Sequence, residues 1–201
     1  VVAGPSFGGR VVQTAAERLK KMSGAGAKAI LLCVYGNRAY EDTLLELQEI
    51  LEQRGFQCMG AIAAVAEHSI MRQFAAGRPD EQDREELLRF AEKIKEKCAG
   101  GDSMPLKLPG TKPYREYHSS PMKPEAGKAC VRCGKCAAKC PVQAIPADNP
   151  SLTDETVCIA CMRCISICPA QARSLDGEML SALVKRLEKA CAGRKSNELF
   201  L

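Results

Sequence analysis

The chain has 201 residues, a net charge of +5 and 46% hydrophobic residues, enough for one medium domain and one small one. Its longest apolar stretch, Met59 to Ala66, is strand-sized and interrupted by Gly60, well short of the roughly 18 residues that a membrane span needs. Acidic and basic residues are interspersed, and no Arg/Lys run carries aromatics, which argues against nucleic-acid or membrane partners and for a solvated mixed-charge surface.

The chain opens without a methionine, inside an apparent strand, Val1 to Gly4. Pro5 to Arg10 is a turn-rich loop. Apolar residues at helical spacing then predict a helix over Val11 to Met22, closed near Gly24. Ala27 to Tyr35 is a continuous apolar run, the pattern of a strand covered on both faces. A loop at Gly36 to Tyr40 leads into a helix over Glu41 to Arg54, whose stripe is Leu44, Leu45, Leu47, Ile50 and Leu51 and which Gly55 ends. Phe56 to Ala66 is a third strand. After a short turn or helix at Ile70 to Ala76, Asp80 caps a long helix running to about Cys98. Strand and helix alternate, which predicts an α/β parallel sheet with flanking helices over residues 1–99.

Residues 100–127 break the pattern. They hold five of the eleven prolines and read as a semi-extended tether. A cysteine-rich module follows at 128–176. The segment 177–201 reads as an amphipathic helix, Glu178 to Ala192 with Leu180, Leu183, Val184 and Leu187 on one side, then a frayed tail whose Leu199-Phe200-Leu201 is apolar enough to dock.

The module carries the strongest signal. Cys130, Cys133, Cys136 and Cys140-Pro141 repeat as Cys158, Cys161, Cys164 and Cys168-Pro169. Both runs read C-x2-C-x2-C-x3-C-P, the spacing that holds cubane 4Fe-4S clusters, in which the fourth thiolate of each run ligates the other cluster. One cluster then takes Cys130, Cys133, Cys136 and Cys168, and the second takes Cys158, Cys161, Cys164 and Cys140. Structural zinc wants two pairs across a longer spacer, so this pattern fits it poorly. Closely spaced thiols without a visible secretory leader also argue against disulfides and for a reducing, cytoplasmic setting. Cys33, Cys58, Cys98 and Cys191 are scattered and read as small apolar residues or plain surface thiols.

Two loops at expected strand ends, Phe7-Gly8-Gly9-Arg10 and Tyr35-Gly36-Asn37-Arg38, each hold an aromatic and glycine, where open α/β sheets take ligands. The residues alone fit a flat-cofactor site or ordinary turn chemistry equally well. Glu67-His68-Ser69 follows the last strand and reads as a flavin- or substrate-flanking group or, more simply, as a loop-packing cluster. Arg10 and Arg38 read as neutralising a flavin or partner charge, or as plain exposed arginines.

The residues Pro5 to Arg10, Tyr35 to Asp42, Ala66 to Ser69, Ala76 to Asp80 and Pro109 to Tyr114, together with the cysteine module, resemble the flavodoxin–ferredoxin fusion proteins of anaerobic bacteria. The front part is similar to the later part of a flavodoxin-like sheet, and the back to a small α+β two-cluster ferredoxin domain. The resemblance implies FMN in the front domain, with Phe7 beside one face of the ring and Tyr35 beside the other. Backbone groups of Gly8, Gly9, Gly36 and Asn37 would meet the ring edge. The phosphate-binding loop and first strands of such domains have no counterpart here, and the expectation is that the chain is a truncated piece of a longer product.

These readings point to an electron carrier that exchanges electrons with redox partner proteins, without a nucleophile–base pair for other chemistry. Two alternatives stand beside it: a flavin-dependent reductase fed by the clusters, and a flavin-free ferredoxin with an α/β docking module.

Overall fold

The computed structural model describes residues 1–100 and 105–201, so the start of the 100–127 tether lies outside the described residues. The chain forms two units. The first comprises Val1–His68, Arg72–Tyr117 and Ala190–Leu201, and the second Ser69–Met71 and His118–Lys189.

The first unit is built on strands β1 (Val2–Phe7), β2 (Arg10–Val11), β3 (Lys28–Tyr35), β4 (Gln57–Val65) and β5 (Glu198–Phe200), ordered β2-β1-β3-β4-β5. β1, β3 and β4 are parallel, as the alternation of strand and helix predicts, while β2 and β5 are antiparallel additions. Helices α1 (Gln13–Leu19) and α2 (Thr43–Gln53) supply Ala16, Leu44, Leu47, Ile50 and Leu51 to a core against Leu31, Cys33, Tyr35, Ala61, Ala63 and Val65. The opposite sheet face, Ile30, Leu32, Ile62 and Ala64, packs on Leu87, Phe90 and Ile94 of α3 (Glu81–Gly100). β3 alternates buried and half-buried residues, so its two faces are unequally covered, unlike the expected strand buried on both sides.

Three local features differ from the expectation. Arg10, expected in a loop, and Val11, expected to start a helix, extend the sheet instead, because Gly8 (φ 61°) and Gly9 (φ 83°) form a two-residue turn that folds β2 back on β1. Two successive positive φ angles are the backbone that such hairpins require. The tail does not fray: Leu199 and Phe200 pair with Ile62 and Ala61. Residues 105–117 lie along α2, with Leu106 buried, Gln48 Nε2 donating to its carbonyl, and Asp42 accepting from the N–H groups of Thr111 and Arg115. Proline density suggests a semi-extended tether; these hydrogen bonds hold this part of it as a strap on α2.

A buried ionic cluster holds the tail. Asp83, fully buried, accepts from Arg78 and from Asn197 Nδ2 (2.9 Å), while Asn197 Oδ1 accepts from Val65 N (2.8 Å). Asp80 and Asp83 also cap each other's N–H at the start of α3, a reciprocal arrangement that satisfies two helix-end donors.

The second unit is an internal repeat. Helix α4 (Lys135–Ala138) recurs as α5 (Arg163–Ser166), each entered through a left-handed residue, Gly134 (φ 73°) and Met162 (φ 61°). Left-handed Arg132 and Ala160, and Gln143 and Gln171, also pair across the repeat. A short antiparallel pair, β6 (Glu125–Ala126) with β7 (Arg173–Ser174), ties the two ends of the module together. Helix α6 (Gly177–Cys191) begins at Asp176, whose carboxylate accepts from Met179 N at 2.7 Å.

Candidate metal centres

The eight cysteines of the module are sorted by space rather than by sequence. Cys130, Cys133, Cys136 and Cys168 line one small cavity. Cys140, Cys158, Cys161 and Cys164 line a second. Each cavity thus receives three thiols from one run and the last thiol of the other. The short helices explain the sorting. Within each run the third cysteine sits inside α4 or α5 and the fourth lies just after its end, so one turn separates neighbours into different cavities.

Backbone donors point at sulfur in matching places. Ala144 N donates to Cys140 Sγ and Ala172 N to Cys168 Sγ, both at 3.2 Å, and Ala160 N approaches Cys158 Sγ at 3.4 Å. Such donors stabilise the thiolate that a soft metal needs. Cys168 is accordingly held below the ordinary thiol range, first by the Ala172 N–H, with the N–H groups of Ala170 and Arg173 adding to it. Burial pushes the Cys164 thiol up to about 11, against the pull of the Arg173 charge.

The donor set of each cavity, four thiols with N–H groups directed at sulfur, fits a cubane cluster. Among the described residues no three His, Cys, Asp or Glu side chains are placed to share a single metal ion. A cubane does not require that, because each thiolate binds its own corner iron.

Arg173 stands out in the sequence only as one basic residue among several. In the structure it is 3% exposed and lines the first cavity. Its guanidinium donates to the carbonyls of Pro124, Pro150 and Leu152 and to Thr153 Oγ1. A basic residue in the apolar stretch after Cys168-Pro169 is the one signal of it that the sequence holds. The other four cysteines are elsewhere: Cys33 and Cys191 are buried and Cys58 and Cys98 half-buried, and burial pushes the Cys33 thiol up to about 12.

The six residues expected at a flavin all lie in the first unit. Gly8 and Gly9 make the hairpin turn, beside half-buried Phe7. A Cβ on Gly9 would stand 1.8 Å from Glu41 Oε2. Tyr35 is 5% exposed, its ring edge-on to Tyr40 at 5.1 Å. A Cβ on Gly36 would meet the His68 backbone at 2.8 Å. Asn37 is buried and donates to the carbonyls of Cys191 and Gly193, both at 2.8 Å. Tyr35 does line an open cavity of about 570 Å³, with Arg38, Tyr40, Glu41, Arg115 and Lys195 among its other walls. Arg10 is committed to Glu46 through two hydrogen bonds (2.8 and 2.7 Å), and Arg38 to Glu41. Glu67 closes its own loop by accepting from Gly77 N and Arg72 Nε, in keeping with the loop-packing reading of that segment.

Residues 125–169 match the protein family described as a 4Fe-4S dicluster domain. That domain supports 4Fe-4S cluster binding and an iron–sulfur electron-transfer role for this part of the chain. The search of curated proteins found no match to the chain. Among the described residues, no helix is long and apolar enough to cross a membrane.

Proposed function

We propose that the chain is a one-electron carrier with two 4Fe-4S clusters, one ligated by Cys130, Cys133, Cys136 and Cys168 and the other by Cys140, Cys158, Cys161 and Cys164. The observation that carries this reading is the crossed sorting of the eight thiols into two four-thiol cavities. When bound, the clusters supply low-potential one-electron chemistry. The protein's part is to present soft anionic donors in fixed places, direct N–H groups at sulfur and wrap the second site in buried apolar chain such as Ala144, Ile145 and Met162. Between Lys128 and Asp176 six basic residues stand against four acidic ones, five against four with buried Arg173 set aside, so the complementary partner is a redox protein with an acidic docking face. Anaerobic purification should give about eight irons and eight sulfides per chain, with a paramagnetic signal on reduction. A zinc-loaded, iron-free protein that cannot be reconstituted would refute the reading.

A flavin in the first unit is the second reading. In its favour is the open cavity beside Tyr35 at the carboxyl end of β3, the place where open α/β sheets take ligands. It would make the chain a junction between one-electron and two-electron carriers in a reducing cytoplasm. Flavin released per polypeptide, from protein purified without oxygen and supplied with FMN, decides it; none released sinks it.

A further inference from the structure

The repeat in the second unit has one conspicuous break. Ile145 and Arg173 each stand five residues after the last cysteine of their run. Both are buried, at 5% and 3% exposure, yet one is apolar and the other charged. The first half therefore demonstrates that an apolar side chain can fill this place. Putting an ion there carries a desolvation cost of several kcal/mol unless it is well compensated.

The compensation for Arg173 is incomplete. Its two terminal nitrogens meet four oxygens, with no carboxylate partner among them. Its Nε is the one buried side-chain nitrogen or oxygen among the described residues without a hydrogen-bond partner. Arg173 lines the first cavity; it is absent from the walls of the second, although its Nη1 donates to Pro124 and Thr153 there. A missing partner on a buried N–H, beside a cavity walled by four thiols, calls for an acceptor inside that cavity.

We propose that Arg173 is a positioning residue that makes the two cluster sites unequal: its fixed charge and its Nε–H act on a sulfur in the first cavity and raise the reduction potential there above that of the second. The inference rests on the two-cluster reading. The step concerned is uptake of one electron from a reduced donor protein. It leaves the contents of the cavity one charge more negative and neither forms nor breaks a bond. A buried cation favours the more negative state, and hydrogen bonds to cluster sulfurs are a recognised lever on potential.

The test is an anaerobic redox titration followed by EPR on the full chain, comparing wild type with Arg173→Gln and Arg173→Lys, after iron and sulfide have been counted. Wild type should titrate in two resolved steps. In Arg173→Gln the higher step should fall at least tenfold in its one-electron equilibrium, which is about 59 mV, while the lower moves less than threefold. Arg173→Lys should keep the higher step within threefold of wild type. A higher step unmoved in Arg173→Gln, or equally lowered in both variants, overturns the proposal. If Arg173→Gln holds no clusters, wild type carrying 15N-arginine decides by pulsed EPR. A nitrogen coupling to the reduced protein that is lost in Arg173→Lys supports the proposal, and its absence from wild type overturns it. Wild type without iron would instead sink the two-cluster reading itself.

Discussion

Cys136 and Cys140 are four residues apart and line different cavities, which gives the crossed arrangement a sharp consequence. Replacing Cys140 by Ala removes one of four thiols from the cavity of Cys158, Cys161 and Cys164 and none from the other. With four irons per cubane, iron content should fall from about eight to about four per chain. A second substitution then reports which residues act together. Cys140→Ala with Cys158→Ala strikes the same site twice and should still leave about four irons. Cys140→Ala with Cys130→Ala strikes both sites and should leave close to none. Interaction between two substitutions is expected where they share a site and not where they are independent. The assay is iron and sulfide analysis after anaerobic reconstitution, with the EPR of the reduced protein as a second readout. If Cys140→Ala with Cys130→Ala keeps about four irons while Cys140→Ala with Cys158→Ala loses all, ligation runs within each sequence run and the reasoning fails.

Three further outcomes follow from the same structure. Asp83→Asn leaves the buried Arg78 without its carboxylate, and should cost about 3–5 kcal/mol at pH 7 in urea unfolding; a loss under 1 kcal/mol would contradict the burial. Arg78, the largest cause, holds the Asp83 carboxyl well below the usual range, so its contribution is full above the unfolded value of about 3.9 and is lost as pH falls through the folded value. Wild type should therefore lose its advantage over Asp83→Asn only below about pH 4, and an advantage already gone at pH 6 would refute the assignment. Gly134 has a φ of 73°, and a Cβ added there would meet nothing within 4 Å, so Gly134→Ala should cost about 1–2 kcal/mol from backbone strain alone and still load iron; complete loss of loading would point to a steric role. Electron transfer to an acidic partner should slow as salt rises through about 0.1–0.5 M, since exposed charges are screened there, and a salt-independent rate would remove the docking argument.

The parallel order of β1, β3 and β4 is readable because long apolar runs alternate with helical stripes, a pattern that survives without knowledge of any partner. The two added strands are not, for different reasons. β2 has two residues, too few for any period, and its only sign is the Gly8-Gly9 pair, which suits a ligand loop although Gly-Gly is also hairpin chemistry. β5 depends on Asn197, whose carbonyl accepts from Val65 and whose amide meets Asp83, partners more than a hundred residues away in the chain. The strap at 105–117 escapes the sequence in the same way: proline spacing reports stiffness, while Asp42 and Gln48 decide where the stiff segment lies. The thiol sorting is legible because cluster chemistry fixes cysteine spacing locally. Arg173 is not, since composition counts a buried cation and an exposed one alike.

The charges around the first unit's open cavity bear on what it can accept. Arg38 and Arg115 both pair with Glu41, and against the cost of burial they hold its carboxyl below the usual range. Lys195 donates to the carbonyls of Arg38 and Ala190. The cations on the wall are therefore already engaged, and Asp42 and Glu198 add further negative charge nearby. A ligand carrying a phosphate would have to take guanidinium hydrogen bonds away from Glu41, at the cost of leaving a half-buried carboxylate poorly paired. A flat, weakly charged ring edge against Tyr35 and Tyr40 meets no such competition. The second unit presents the reverse case, with a buried cation beside four thiols, its terminal nitrogens meeting four oxygens but no carboxylate. Electrostatics thus favour a weakly charged guest beside Tyr35, while in the first cysteine cavity the Arg173 charge favours the thiolate form that a soft metal needs.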